Sequence, residues 1–204
     1  MIARAAAAVS LRNRRRKLRL FLDLIRPTED TTVIDVGVAD TPFGAGAGQA
    51  LTHNFFEAFY PWPERITAVG NVPLPHFAEA FPQIRCVVAD GRDLPFADGE
   101  FDVAFSNAVV EHVGDRAAQE RFVHELSRVA GRVFVTTPNR LFPLDPHTLL
   151  PFVHWLPARA RRRFLPGVRP LSPRELRSLF PYPVRIVSTG LTLIAVGGRA
   201  PSAG

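Results

Sequence analysis

From residue 32 onward, short β-branched apolar runs alternate with segments of helical spacing, and no feature of the chain constrains its fold more. The runs cover 32–37, 66–69, 84–89, 101–106 and 132–137. Between them, 49–60 and 74–81 read as helices, and 116–129 carries Phe122, Val123, Leu126 and Val129 at helical spacing. Strands separated by helices at this interval run parallel and are covered on both faces. Toward the C-terminus, Ser172-Pro-Arg-Glu175 has the capping-box pattern and opens a helix over 172–179. Two last strands, 184–188 and 191–196, flank Thr189-Gly190, a hairpin signal. The expected fold is α/β: a single doubly wound, mostly parallel seven-stranded sheet with a C-terminal antiparallel hairpin.

Before the first strand, residues 1–27 form a basic amphipathic helix. Leu11, Leu18, Phe21, Leu22 and Ile25 recur on one face, Arg12, Arg14, Arg15, Arg16 and Arg19 lie between them, and Pro27 ends the helix. Either the stripe packs on the domain and the arginines are solvated, or the helix meets an anionic membrane surface or substrate. The formal net charge of +6 invites a nucleic-acid partner, but its distribution argues otherwise. Residues 1–26 hold eight basic groups against Asp23, and residues 158–177 hold seven against Glu175. The remainder is therefore net acidic, a poor match for a duplex lying across it, so nucleic acid is not the expected partner. No apolar run reaches 18 residues, Ala5 to Val9 is short for a signal-peptide core, and Cys86 is the only cysteine. A cytoplasmic location is the expectation.

In an open α/β sheet, ligands sit beyond the carboxyl ends of the strands, so the polar residues there are the candidates. The first strand is followed by Asp35-Val-Gly37-Val-Ala39-Asp40-Thr41, in which a glycine lets backbone approach a ligand. After the third come Asp90-Gly91 and then Leu94-Pro95-Phe96. A carboxylate next to an exposed N–H matches the acceptor–donor edge of adenine. Ser106-Asn107 and Glu111-His112-Val113 follow the fourth strand, and Asn139-Arg140 follows the fifth.

Taken together, Asp90, Leu94-Pro95-Phe96, Phe101-Asp102-Val103, Ser106 and Glu111-His112-Val113 resemble the class I S-adenosylmethionine-dependent methyltransferases, over about residues 32 to 140. The resemblance implies a Rossmann-like methyltransferase domain over 28–204, with 138–170 as an insertion on the acceptor side, and S-adenosyl-L-methionine as cofactor. It implies that Asp35, Gly37 and Ala39 line the methionine end of that cofactor, that Asp90 and Gly91 hold adenine, and that Asn107 lies beneath the sulfonium. Two departures stand out. The family's loop has glycines where this chain has Ala39 and Thr41, and the acid that grips the ribose is replaced by Asn71 after Gly70. A neutral carbonyl there gives up a charge-assisted bond. The tract 43–48, rich in glycine, reads as a lid over the cofactor or as a plain linker.

His112 is the candidate general base for a hydroxyl acceptor, with Glu111 orienting its ring; the alternatives are substrate positioning and a loop cap. Asn139, Arg140, His147 and Trp155 are the candidate acceptor residues, since a tryptophan among polar groups suits a sugar ring. Asp145, His147 and His154 match no recognisable metal spacing, and no metal is expected. The function expected is methylation, on oxygen, of a small polar or glycosylated acceptor, with peripheral contact at an anionic membrane as a further partner. The competing expectation is a methyltransferase-fold scaffold that has lost catalysis, which the altered glycine loop motivates.

Overall fold

In the computed structural model, residues 2–41, 54–144 and 150–198 are described. Seven strands make a mixed sheet, and the chain divides into two compact units, Met1–Asp90 and Gly91–Gly204.

The first unit begins with α1 (Ile2–Ile25), which buries Leu18, Phe21 and Ile25 and leaves Arg12, Arg15, Arg16 and Arg19 exposed. Arg26 takes a left-handed φ of 51° and Pro27 follows, so the helix stops there without a glycine. The strands are β1 (Val33–Val36), β2 (Ile66–Gly70) and β3 (Arg85–Val88). All pair in parallel in the order β3-β2-β1, with Val33 opposite Ile66 and Thr67 opposite Arg85. Every residue of β1 and β2 is buried, as expected of parallel strands covered on both faces. Helix α2 (Phe55–Phe59) packs on α1 through the Phe21 and Phe56 rings, whose centroids are 5.0 Å apart. The helix expected over 49–60 is seen from 55; its first part falls outside the described residues. Helix α3 (Pro75–Ala80) buries Phe77 beneath the β2–β3 crossover.

The second unit holds β4 (Phe101–Asn107), α4 (Arg116–Val129) and β5 (Ala130–Pro138). After these come α5 (Ala158–Phe164), α6 (Pro173–Arg177), β6 (Arg185–Ser188) and β7 (Thr192–Gly198). The strand order is β4-β5-β7-β6, the first pair parallel and the others antiparallel. Asp115 caps α4 by accepting from the Ala118 N–H at 2.9 Å, and Ser172 and Glu175 form the expected capping box on α6. The closing hairpin turns at Gly190, with φ 88°. Helix α5 and a short 3-10 helix, Val153–Trp155, lie in the insertion expected over 138–170.

The Leu94-Pro95-Phe96 motif has a structural explanation. Leu94 and Phe96 are buried, and the Arg128 guanidinium donates to both of their carbonyls, at 2.9 and 2.7 Å. Glu125 completes the clamp by accepting from the Leu94 N–H at 2.8 Å and pairing with Arg128 at 2.8 Å. The Arg128 hydrogen bond holds the Glu125 carboxyl below its ordinary range.

Candidate functional site

Along the carboxyl end of the first unit, three strand termini present small or polar groups to solvent. Gly37 follows β1, Asn71 follows β2 and Asp90 lies two residues beyond β3; all three are exposed. Neighbouring strands are about 4.8 Å apart, so the rim from Gly37 past Asn71 to Asp90 extends roughly 10 Å. Gly37 has φ 105°, a conformation that L side chains rarely adopt, and its N–H donates to the Val69 carbonyl at 2.8 Å. That bond and the one from Val38 N–H to the same oxygen, at 3.2 Å, turn the chain sharply off β1.

The loop after Gly37 is braced from both sides. Asn54 accepts from the Ala39 N–H at 3.3 Å and donates to the Ala39 carbonyl at 2.8 Å. The Asp40 carboxylate accepts from the Phe77 N–H at 2.9 Å and lies 2.8 Å from His76 Nδ1. Desolvation alone would raise the Asp40 carboxyl; the His76 and Phe77 hydrogen bonds outweigh it and hold it below its usual value. Asn54 and His76 thus fix the loop by hydrogen bonds, and neither residue stands in a motif that marks it in the sequence.

Asp35, expected to line the ligand, is instead buried, with 5% exposure. It hydrogen-bonds the Glu57 side chain, itself only 3% exposed. Burial, and then the charge of Glu57, push the Asp35 carboxyl well above its normal range, and burial carries Glu57 up to about 7. Two carboxyl groups in one apolar pocket cannot both ionise cheaply, so the pair holds a proton at neutral pH. Asp35 thus lies buried beside Glu57, while Gly37, two residues on, is exposed at the rim. Glu57 had a signal in sequence: a lone acid within the apolar run Phe55-Phe56-Glu57-Ala58-Phe59 requires a buried partner.

In the second unit the corresponding strand ends belong to β4 and β5. Asn107 terminates β4, and its Oδ1 accepts from Thr136 Oγ1 at 2.8 Å, which sets the orientation of the amide. The next residue, Ala108, has φ 58°, a strained conformation for a residue with a Cβ. Glu111 is fully buried, and its Oε2 accepts from Thr137 Oγ1 at 2.9 Å. His112 is exposed, with Nε2 3.9 Å from Glu111 Oε1: close enough for charge interaction, too long for a hydrogen bond. The loop is held from behind, because the Glu111 carbonyl accepts from Arg169 N–H at 2.7 Å and Gln119 donates to Val110 and Arg169 carbonyls. Gly91 is half-buried beside Asp90 in sequence.

The expected acceptor residues are spread out. The Asn139 amide donates to the Gly190 carbonyl at 2.9 Å and its Oδ1 accepts from the Leu141 N–H at 3.0 Å, joining the insertion to the hairpin. Arg140 is paired with Glu175 at 2.8 Å. Trp155 is 57% exposed and lies against Phe152. His147, with Asp145, lies outside the described residues. Among the described residues, no group of three or more His, Cys, Asp or Glu side chains could hold a metal ion.

Residues 43–132 match the family described as a methyltransferase domain. A probable S-adenosylmethionine-dependent methyltransferase of Mycobacterium tuberculosis is 36% identical over 69 residues, which are 32% of this chain and 24% of that protein. The chloroplastic tocopherol O-methyltransferase of Arabidopsis thaliana is 47% identical over 53 residues, 24% of this chain and 14% of the plant enzyme. The chain thus spans about a quarter or less of the length of these curated relatives. A crystal structure of an S-adenosylmethionine-dependent methyltransferase from Thermotoga maritima, described as a possible histamine N-methyltransferase, has a TM-score of 0.62 at 15% identity. It covers 96% of this chain and 92% of its own, so the Rossmann-like fold is shared along nearly the whole length. The match over residues 43–132, the partial relatives and the shared fold all point in one direction, toward the S-adenosylmethionine-dependent methyltransferases.

Proposed function

We propose that this protein is an S-adenosylmethionine-dependent methyltransferase that methylates a hydroxyl of a small polar or glycosylated acceptor. The observation that carries the reading is the rim of the first unit, where Gly37, Asn71 and Asp90 end three adjacent parallel strands and face solvent. The rim suits an adenosyl group: an exposed carboxylate, an exposed amide and a side-chain-free turn succeed one another at strand spacing.

When bound, S-adenosylmethionine supplies a methyl group on a positively charged sulfur, which is both electrophile and leaving group. Asp90 and Gly91 would hold the adenine, the carboxylate as acceptor and the N–H as donor. Asn71 would hold a ribose hydroxyl through a neutral carbonyl, a weaker grip than a carboxylate gives. Gly37 and Ala39 form the wall at the methionine end. In the second unit, Asn107, its amide held by Thr136 at the end of β4, is a further candidate contact. His112 takes the proton of the acceptor hydroxyl. Its Nε2 lies 3.9 Å from the buried Glu111 side chain. The buried Glu111 carboxylate is complementary to the imidazolium that results. Alignment of oxygen, methyl and sulfur supplies most of the remaining rate.

The hydroxyl preference draws support from the plant O-methyltransferase match. A glycosylated acceptor carried on a lipid would be met at an anionic membrane surface, toward which the exposed arginines of α1 supply charge. The test is transfer of labelled methyl from S-adenosylmethionine to a panel of glycolipids, free sugars, phenols and amines. Label in an ether of a hydroxyl acceptor is the expected result. Label only in amines would overturn the choice of oxygen, and no transfer to any acceptor together with no cofactor binding would favour the scaffold.

A further inference from the structure

Six of the eight large apolar side chains that the described residues leave exposed lie between 141 and 164: Leu141, Leu144, Leu150, Phe152, Trp155 and Phe164. Val153 and Leu165 are buried at 3% and 2% exposure, and each is the chain neighbour of an exposed aromatic, Phe152 and Phe164. The two anchors hold those rings outward. Phe152 takes a left-handed φ of 60° as it does so, its N–H donates to the Pro143 carbonyl, and its ring lies 5.0 Å from that of Trp155. An isolated antiparallel bridge joins Leu144 and Pro151.

The charge beside it is mostly positive, with Asp145 and Glu175 at the borders of the arginine-rich stretch. Residues 146–174 contain six arginines and no Asp or Glu. On α5, Arg159 and Arg163 are exposed one helical turn apart, ahead of Phe164. A protein partner for such a face would need an extended acidic apolar surface of matching shape. A bilayer needs no shape match, and aromatic and leucine side chains next to arginine are the composition that partitions into an anionic interface. No helix among the described residues is long and apolar enough to cross a membrane, so the contact is peripheral.

We propose that the segment 150–164 is a membrane-docking element, which inserts Phe152, Trp155 and Phe164 among the headgroups of an anionic bilayer while Arg159 and Arg163 pair with lipid phosphates. This deepens the proposed function in one respect, since it delivers the enzyme to a lipid-borne acceptor. Vesicle binding is read without methyl transfer, so its failure leaves the methyltransferase reading standing.

The chain has two tryptophans, so a Trp62→Phe background makes Trp155 a local reporter. With vesicles of equal phosphatidylcholine and phosphatidylglycerol, Trp155 emission should shift to the blue and be quenched by brominated lipid. Phosphatidylcholine alone should give little of either. Arg159→Gln with Arg163→Gln, both on the surface, should weaken partitioning about 25-fold, roughly fivefold per charge. Phe152→Ser with Phe164→Ser should weaken it at least about tenfold with an unchanged melting curve. Emission from Trp155 that stays constant while the protein sediments with vesicles would overturn the proposal, because α1 would then be the contact. A self-associated species lost in the Phe152→Ser, Phe164→Ser variant, or retention on RNA or DNA, with no response to vesicles, would also overturn it.

Discussion

Replacing Glu57 by glutamine should make the protein more stable above neutral pH. Glu57 and Asp35 share a dry pocket, and burial lifts Glu57 from its ordinary 4.5 to about 7. Between those values the folded state holds a proton that the unfolded state has released. The stabilising contribution is therefore complete below pH 4.5 and is lost as pH rises through about 7. Asp35, also raised, acts in the same direction from its own ordinary 3.8 upward. One proton costs about 1.4 kcal/mol per pH unit, so the Glu57 shift alone removes on the order of 3 kcal/mol by pH 8. Glutamine keeps the shape, cannot ionise, and donates a permanent N–H to Asp35. At pH 8 the variant should exceed the parent by about 2–3 kcal/mol, or roughly 4–12 °C in Tm for a chain of this size; at pH 4.5 the two should nearly coincide. Asp40, Glu125 and Glu175, whose carboxyls lie below their ordinary values, give the parent an opposite slope at acid pH. The informative quantity is therefore the difference between variant and parent in urea unfolding from pH 4.5 to 8.5. A difference that does not change with pH would refute the shared proton.

Three other changes test other parts of the structure. Thr137→Val deletes the hydroxyl that donates to the fully buried Glu111 carboxylate and should cost about 2 kcal/mol in urea unfolding; no loss would mean another donor satisfies that oxygen. Arg128→Met opens the clamp on the Leu94 and Phe96 carbonyls and should cost about 2 kcal/mol, with faster amide exchange over 94–98 measured by mass spectrometry. His112→Ala should lower methyl transfer at least about a hundredfold while leaving S-adenosylhomocysteine affinity within about twofold. Equal turnover in parent and variant would remove His112 as the base.

Periodicity carried much of the fold. The runs at 32–37, 66–69 and 101–106 could be read as strands because β-branched residues filled them and polar residues or glycine closed them. Gly37, Asn71, Asp90 and Asn107 could be found by position alone, since each stands at a strand's carboxyl end. What sequence could not assign was the use of each polar group. Asp35 lies in the same motif as Gly37, yet one is buried against Glu57 and the other faces solvent, a difference decided by the left-handed turn at Gly37 and by a helix some twenty residues on. Asn139 and Arg140 follow β5 as acceptor residues would, but tertiary partners Gly190 and Glu175 engage them. Helix α5 escaped notice because arginine fills its middle and no apolar period marks it; Pro157 just before its first turn was the available signal.

Calorimetric titration of the intact chain with S-adenosylmethionine and S-adenosylhomocysteine, repeated on Asp90→Ala, tests the central claim most directly. Saturable one-to-one heat with both ligands in the parent, weakened at least about tenfold by the substitution, is the predicted result. Silence with both ligands in a folded parent, or equal affinity in parent and variant, would contradict it.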